Sequence, residues 1–266
     1  MPLSLRSGFT ERLGAFALSA SFLTDFSIRL ACGLVAWSAI INWRTIPVAF
    51  FRTQCLVALG LFVLGLLSGW GTISAPLEKI CWITLAILAY LGTVLWGIGL
   101  PHFGRVACGL MSLICIGLMI SAGNAEGGVF EAAARVASSL WLGATLTAML
   151  LGHYYLTAPA MSIDPLLVLV RGMFLFFAVR LATTLLPIFL QSHSGLNLSD
   201  SSIMIWFGMR VVMGYVGVLL ATWLAWHTAK IRSTQSATGI LYIALALLLF
   251  GELASMLLGR SSHVTM

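Results

Sequence analysis

The 266-residue chain is 60% hydrophobic and only 8% charged, with a mean hydropathy of +1.04, whereas soluble globular domains carry about 25% charged residues. Such a chain cannot solvate the surface of a soluble fold. Its net charge of +6 comes from basic residues scattered singly between apolar runs, a pattern of membrane orientation and phospholipid contact that leaves no basic patch for nucleic acid.

Apolar runs long enough to cross about 30 Å of hydrocarbon as helix recur along the chain. Runs such as Ile240 to Phe250, ILYIALALLLF, lack the strict alternation of a transmembrane β-strand. The predicted fold class is all-α, a polytopic integral membrane bundle of about eight transmembrane helices joined by short loops. Residues 1–25 read as an interfacial lead-in. Arg6 and Arg12 precede an apolar stretch, but Asp25 and Arg29 follow without a cleavage pattern. A single transmembrane domain then occupies residues 26–258, and 259–266 form a tail.

In chain order the predicted spans are Phe26 to Trp43, Phe51 to Trp70, Ile80 to Leu100, Gly104 to Ser121, Val129 to Tyr155, Ile163 to Leu190, Ser202 to His227 and Gly239 to Leu258. Trp43, Trp70, Trp82, Trp96, Trp206, Trp223 and Trp226 fall near span ends, where an indole suits the interface, while Trp37 and Trp141 lie deeper. Gly65 and Gly69 in span two, and Gly208, Gly214 and Gly217 in span seven, are sites of close helix approach. The cysteines, Cys32, Cys55, Cys81, Cys108 and Cys115, form no CxxC pair. Cys108 and Cys115 share a helix face, which suits small buried hydrophobes better than metal ligands.

Span five ends in the link GHYYLTAPAMSIDP, Gly152 to Pro165. Much of its polar chemistry is punctuation. Pro159 stops one helix, and Asp164 with Pro165 caps and starts the next. Tyr154 and Tyr155 can anchor at the interface.

The links after spans one, three, five and seven hold or border Arg44, Arg52, Arg105, Lys230 and Arg232, with Arg171 just inside span six. The positive-inside rule makes that face cytoplasmic and puts the termini outside, although Arg6, Arg12 and Arg260 pull the other way. The expected location is a bacterial inner, cytoplasmic membrane. His102, His153 and His227 share the basic level with Tyr154 and Arg171. If these side chains converged they would suit a quinone carbonyl, an anionic headgroup or a metal. If not, each histidine serves its own helix end. None of the histidines is central in a span, which argues against a deeply buried haem held by two of them.

Five charges lie inside or at the start of spans: Asp25 and Arg29 in the first, Arg180 in the sixth, Arg210 in the seventh and Glu252 in the eighth. Such charges require partners. Asp25 and Arg29 are spaced to satisfy each other on one helix. Equal depth makes Arg210 and Glu252 the expected pair, leaving Arg180 to meet Glu252, a partner subunit or an anionic ligand.

There is no HExxH, GxSxG, Walker loop or paired-aspartate motif, so catalysis by this chain alone finds no support. Nor is there a repeat of two similar halves, as in many transporters. The layout is shared at fold level with eight-helix membrane anchors of respiratory oxidoreductases. The expected function is an integral subunit of a larger electron-transfer complex, with other membrane subunits and phospholipids as partners and a possible quinone pocket. The alternative is a transporter or channel for a small ion or solute, with Arg180, Arg210 and Glu252 lining its path.

Overall fold

The computed structural model describes residues 3–126, 128–158, 161–190 and 201–262. Among these there is no strand, and eight helical spans are long and apolar enough to cross a membrane. The helices are α1 (Leu3–Ile40), α2 (Val48–Gly69), α3 (Pro76–Gly97), α4 (Pro101–Glu126), α5 (Gly128–Thr157), α6 (Asp164–Leu190), α7 (Ser201–Met209), α8 (Val218–Lys230) and α9 (Thr234–Ser262). Between α7 and α8 the chain continues as a π-helical segment, Arg210–Gly217, so that Met204–Lys230 is one continuous span. The protein is thus an integral membrane helical bundle.

Two helix starts lie a turn earlier than hydropathy suggests. α3 opens at Pro76 and α4 at Pro101, because proline's missing N–H is harmless in the first helical turn. The apolar signal is weak there because Glu78, Lys79 and His102 occupy those turns. At the other end, α1 stops at Ile40 and leaves Trp43 in a short 3-10 turn, Trp43–Thr45. The first membrane span includes Ala20–Ile40, within a helix that runs back to Leu3. Asp25 and Arg29 are therefore inside the span.

The spans define two ends of the bundle. Residues 41–47, 98–100, 158, 161–163 and 231–233 lie at one end, called here the basic face. Residues 70–75, the α4–α5 junction and the end of α9 lie at the other, the terminal face. Helix α5 is the central element and packs against α1, α4, α6 and α9. Within the bundle 78% of its apolar stretch is buried, against 22% for Met204–Lys230. Outward-facing residues such as Leu67, Leu77, Ile87, Leu113 and Val212 remain exposed, as a lipid-facing surface requires.

Glycine sets the closest crossings. A Cβ on Gly33 of α1 would run into the backbone of α5 at Ser139 and Gly143, and one on Gly143 would run into Gly33. Gly214 in the π segment and Gly251 on α9 meet in the same way, a methyl on Gly214 lying 2.9 Å from the Gly251 Cα. Gly65 and Gly69 do pack closely, against Trp82 and Thr24 respectively. Gly208 faces open space. Gly33, Gly143 and Gly251 carry contacts as close as any, outside the spacings singled out in the sequence.

Trp82 and Trp96 are not interface anchors. Both are fully buried, Trp96 stacked on Phe51 with ring centroids 4.4 Å apart and Trp82 edge-on to Phe62 at 6.4 Å. Because α3 extends to Pro76, Trp82 sits more than a turn inside the helix. The five cysteines are free thiols; four are buried, with Cys55 and Cys108 facing each other at 3.8 Å between sulfurs. Among the described residues no His, Cys, Asp and Glu cluster has the makings of a metal site.

Candidate functional site

Arg180 on α6, Arg210 at the start of the π segment and Glu252 on α9 converge. They retain 1%, 3% and 4% exposure. At constant helical rise all three lie about a quarter of the way in from the terminal face. The Glu252 carboxylate is taken by Arg180, with Nε donating to Oε1 at 3.1 Å and Nη2 to Oε2 at 3.3 Å. The Ser138 hydroxyl of α5 donates to Oε2 at 2.6 Å. Equal depth pointed to Arg210 instead. Depth fixes only the coordinate along the membrane normal, and the facing azimuths select Arg180.

Arg210 has other partners, all of them neutral. Its Nη1 donates to Ser255 Oγ, and its Nη2 donates to Thr184 Oγ1 at 2.8 Å and to Tyr215 Oη at 2.9 Å. Ser255 Oγ also accepts from Arg180 Nη2 at 3.1 Å. Two guanidinium groups thus converge on one hydroxyl. Thr184 and Tyr215 share a hydrogen bond of 2.8 Å, and the Tyr215 ring stacks on Trp141 and meets Phe177 edge-on. The cluster is sealed by aromatic rings on one flank. In such a low-dielectric setting each charge is costly to bury and each hydrogen bond correspondingly strong.

The π segment makes this geometry possible. Residues five apart on an α-helix are separated by about 140° around the axis. A π turn closes with i to i+5 hydrogen bonds and brings them nearly over one another. Tyr215 is the fifth residue after Arg210, and in the π turn it receives an Arg210 hydrogen bond. Sequence periodicity at 3.6 residues per turn gives no sign of that neighbour relation. Ser138, Thr184 and Ser255 carry no distinctive signal in the sequence either, since single hydroxyls in apolar helices usually bond their own backbone.

A second network lies nearer the terminal face. Asp25 accepts from Arg29 at 2.8 Å through one oxygen and from Arg135 on α5 at 3.1 Å through the other. Arg135 also donates to Glu131, one turn earlier, at 3.1 Å. The expected Asp25–Arg29 pair is present, and α5 adds a second arginine and a second carboxylate to it. This network borders a half-open cavity of about 310 Å³ lined by Thr24, Asp25, Thr72, Glu78 and Arg135, among others. On α5, Glu131, Arg135 and Ser138 follow the i, i+4, i+7 spacing of one helix face. That polar stripe leads from the cavity wall at Arg135 to the Glu252 carboxylate at Ser138.

The residues of the basic face do not assemble in this way. His102, His153, Arg171 and His227 are exposed and Tyr154 half-buried. His102 meets Trp43 edge-on at 5.4 Å, His227 stacks on Trp223 at 6.2 Å, and Tyr154 meets Phe50 at 6.0 Å. Arg171 lies over the Trp226 ring at 5.3 Å, with Lys230 over the same ring at 4.8 Å. His102, Tyr154, Arg171 and His227 each have their own neighbours, a pattern of separate helix ends rather than of one pocket.

The link before α6 is held by a serine. Ser162 Oγ accepts from the Asp164 amide at 3.3 Å and donates to the Asp164 carboxylate at 2.6 Å, while Tyr155 Oη donates to the Ser162 carbonyl at 2.5 Å. Asp164 and Pro165 do open the helix, but the capping oxygen belongs to Ser162. Pro159 lies outside the described residues.

No protein-family model, curated protein or solved structure matches this chain.

Proposed function

We propose that this protein is a transporter or channel for a small ion or solute, resident in a bacterial cytoplasmic membrane. Helical spans suit that membrane, since outer-membrane proteins of the barrel type are built from strands. The carrying observation is the polar stripe of α5, which joins the cavity at the terminal face to the buried Arg180–Glu252–Arg210 cluster. Ionisable groups within a bundle are expensive and commonly mark substrate or ion pathways. A merely structural ion pair needs no polar stripe leading to a cavity.

The orientation that goes with this reading places the basic face in the cytoplasm. Arg44, Arg52, Arg105, Arg171, Lys230 and Arg232 lie at that level, and Asp164 is the acid there among the described residues. The cavity then opens to the outside. Phospholipid headgroups are the partners proposed for the exposed Arg171 and Lys230, which lie over the half-buried Trp226 ring. An activity reporter fused after Met266 is expected to be inactive if it needs the cytoplasm; an active one reverses the orientation.

The transport reading is tested with the purified full chain in liposomes. Solute movement is expected from the wild type, together with its loss in Glu252→Gln and its persistence in His153→Ala and Arg171→Gln. The opposite ranking, or copurification with cytochromes or flavoproteins and quinone-linked activity, would favour the electron-transfer subunit instead. That reading rests on His102, His153, Tyr154, Arg171 and His227 acting together, and the separate neighbours of His102, Tyr154, Arg171 and His227 give it less support.

A further inference from the structure

The buried cluster contains one more cation than anion. Among the described residues, Arg180 and Arg210 are both within it, and Glu252 is the carboxylate bonded in it. Arg210 bonds only to the hydroxyls of Ser255, Thr184 and Tyr215. Arg180 Nη1 is buried and donates to nothing, although its residue retains only 1% exposure. Arginine does not shed its proton under these conditions. Among the described residues, no carboxylate besides Glu252 bonds to this pair of fixed positive charges, and Arg180 Nη1 stands beside them as an unused donor.

We propose that Arg180 and Arg210 hold a small monovalent anion, a halide or a planar oxyanion of the size of nitrate. This inference rests on the transport reading and names its substrate class. Single charge follows from the excess of one cation over the Glu252 carboxylate. Small size follows from the packing, because Trp141, Phe177 and Tyr215 close one flank and the Gly214–Gly251 contact fixes the π segment against α9. The anion takes the free N–H groups of Arg180 Nη1. Ser255 Oγ, which accepts from both arginines, has its own proton to turn to it, whereas Thr184 gives its proton to the Arg180 carbonyl at 2.9 Å. Glu252 excludes a second anion by repulsion and holds Arg180 in place. Preorganised donors in a buried site are the physical requirements of anion recognition.

The test titrates sodium nitrate and sodium chloride into the full chain in detergent. Sodium gluconate, whose anion is too large, keeps ionic strength constant. A saturable rise in the melting midpoint with nitrate or chloride is expected, since a ligand bound only by the folded state stabilises it. Arg180→Gln should weaken that response about tenfold or more, the loss expected for a charge-assisted hydrogen bond. If Arg180→Gln does not fold, Thr184→Asp serves, because it puts a carboxylate beside Arg210; the variant should fold and lose its response to added anion. A wild-type midpoint indifferent to nitrate and chloride, or a response unchanged in the variant, overturns the proposal. Liposome flux separates it from the reading beneath it. Anion binding without solute movement leaves the site standing and removes transport. Movement of a cation or neutral solute with no anion response keeps transport and removes the anion site.

Discussion

The terminal half and the basic face of this bundle draw on the same residue types, arginine and aromatic rings with a few hydroxyls, and put them to opposite uses. Near the terminal face the arginines are buried and share carboxylates and hydroxyls across four helices and the π segment. At the basic face they are exposed, and Arg171 and Lys230 lie over Trp226 without a carboxylate. The difference is one of solvent. Water and headgroups satisfy a guanidinium at the interface at little cost, whereas hydrocarbon forces it to find protein partners. Position along the membrane normal thus decides whether the same side chain is an anchor or part of a site.

Four sets of substitutions can break or sharpen that contrast. The largest effect is expected from Glu252→Ala, which leaves two guanidinium groups buried without a carboxylate and should cost about 3–5 kcal/mol. The double change Arg180→Met with Glu252→Met should recover most of that loss in detergent-denaturation measurements. Additive losses in the cycle would show that the two residues are energetically independent. Next comes Asp25→Asn, which removes the charge facing Arg29 and Arg135 but keeps an amide oxygen and leaves Glu131 in place. A loss of about 1–3 kcal/mol is expected from the same measurement, and no loss at all would separate that network from the fold's stability.

Smaller effects belong to the basic face. Trp226→Leu removes the ring beneath Arg171 and Lys230 while keeping an apolar side chain, and should cost about 0.5–1 kcal/mol at an exposed cation–π site. A loss as large as that of Glu252→Ala would mean that this ring is part of a buried site after all. His102→Ala, His153→Ala and His227→Ala are expected to stay within about 0.5 kcal/mol of the wild type, singly and together. A triple variant much worse than the sum of the singles would show that the histidines act on one another, and would return the quinone pocket to consideration.

The sequence by itself determined the membrane class, the number of spans and the demand that Arg180, Arg210 and Glu252 have partners. These follow from composition, run length and the cost of charge in hydrocarbon, each of which is local to the chain. It also identified the Asp25–Arg29 pair, because i,i+4 neighbours on a helix need no tertiary information. Only the tertiary structure decided that Glu252 pairs with Arg180 and that Arg135 joins Asp25 across helices. It also decided that Trp82 and Trp96 turn inward. Those outcomes depend on azimuth and crossing distance, which are set by backbone contacts such as Gly33–Gly143 and Gly214–Gly251. The π segment adds a change of helical pitch, so that Tyr215 meets Arg210 at a spacing an α-helix would not bring together. Depth can be read from residue number because helical rise is constant. Facing cannot, because rotation about each helix axis is fixed by the neighbours against which it packs.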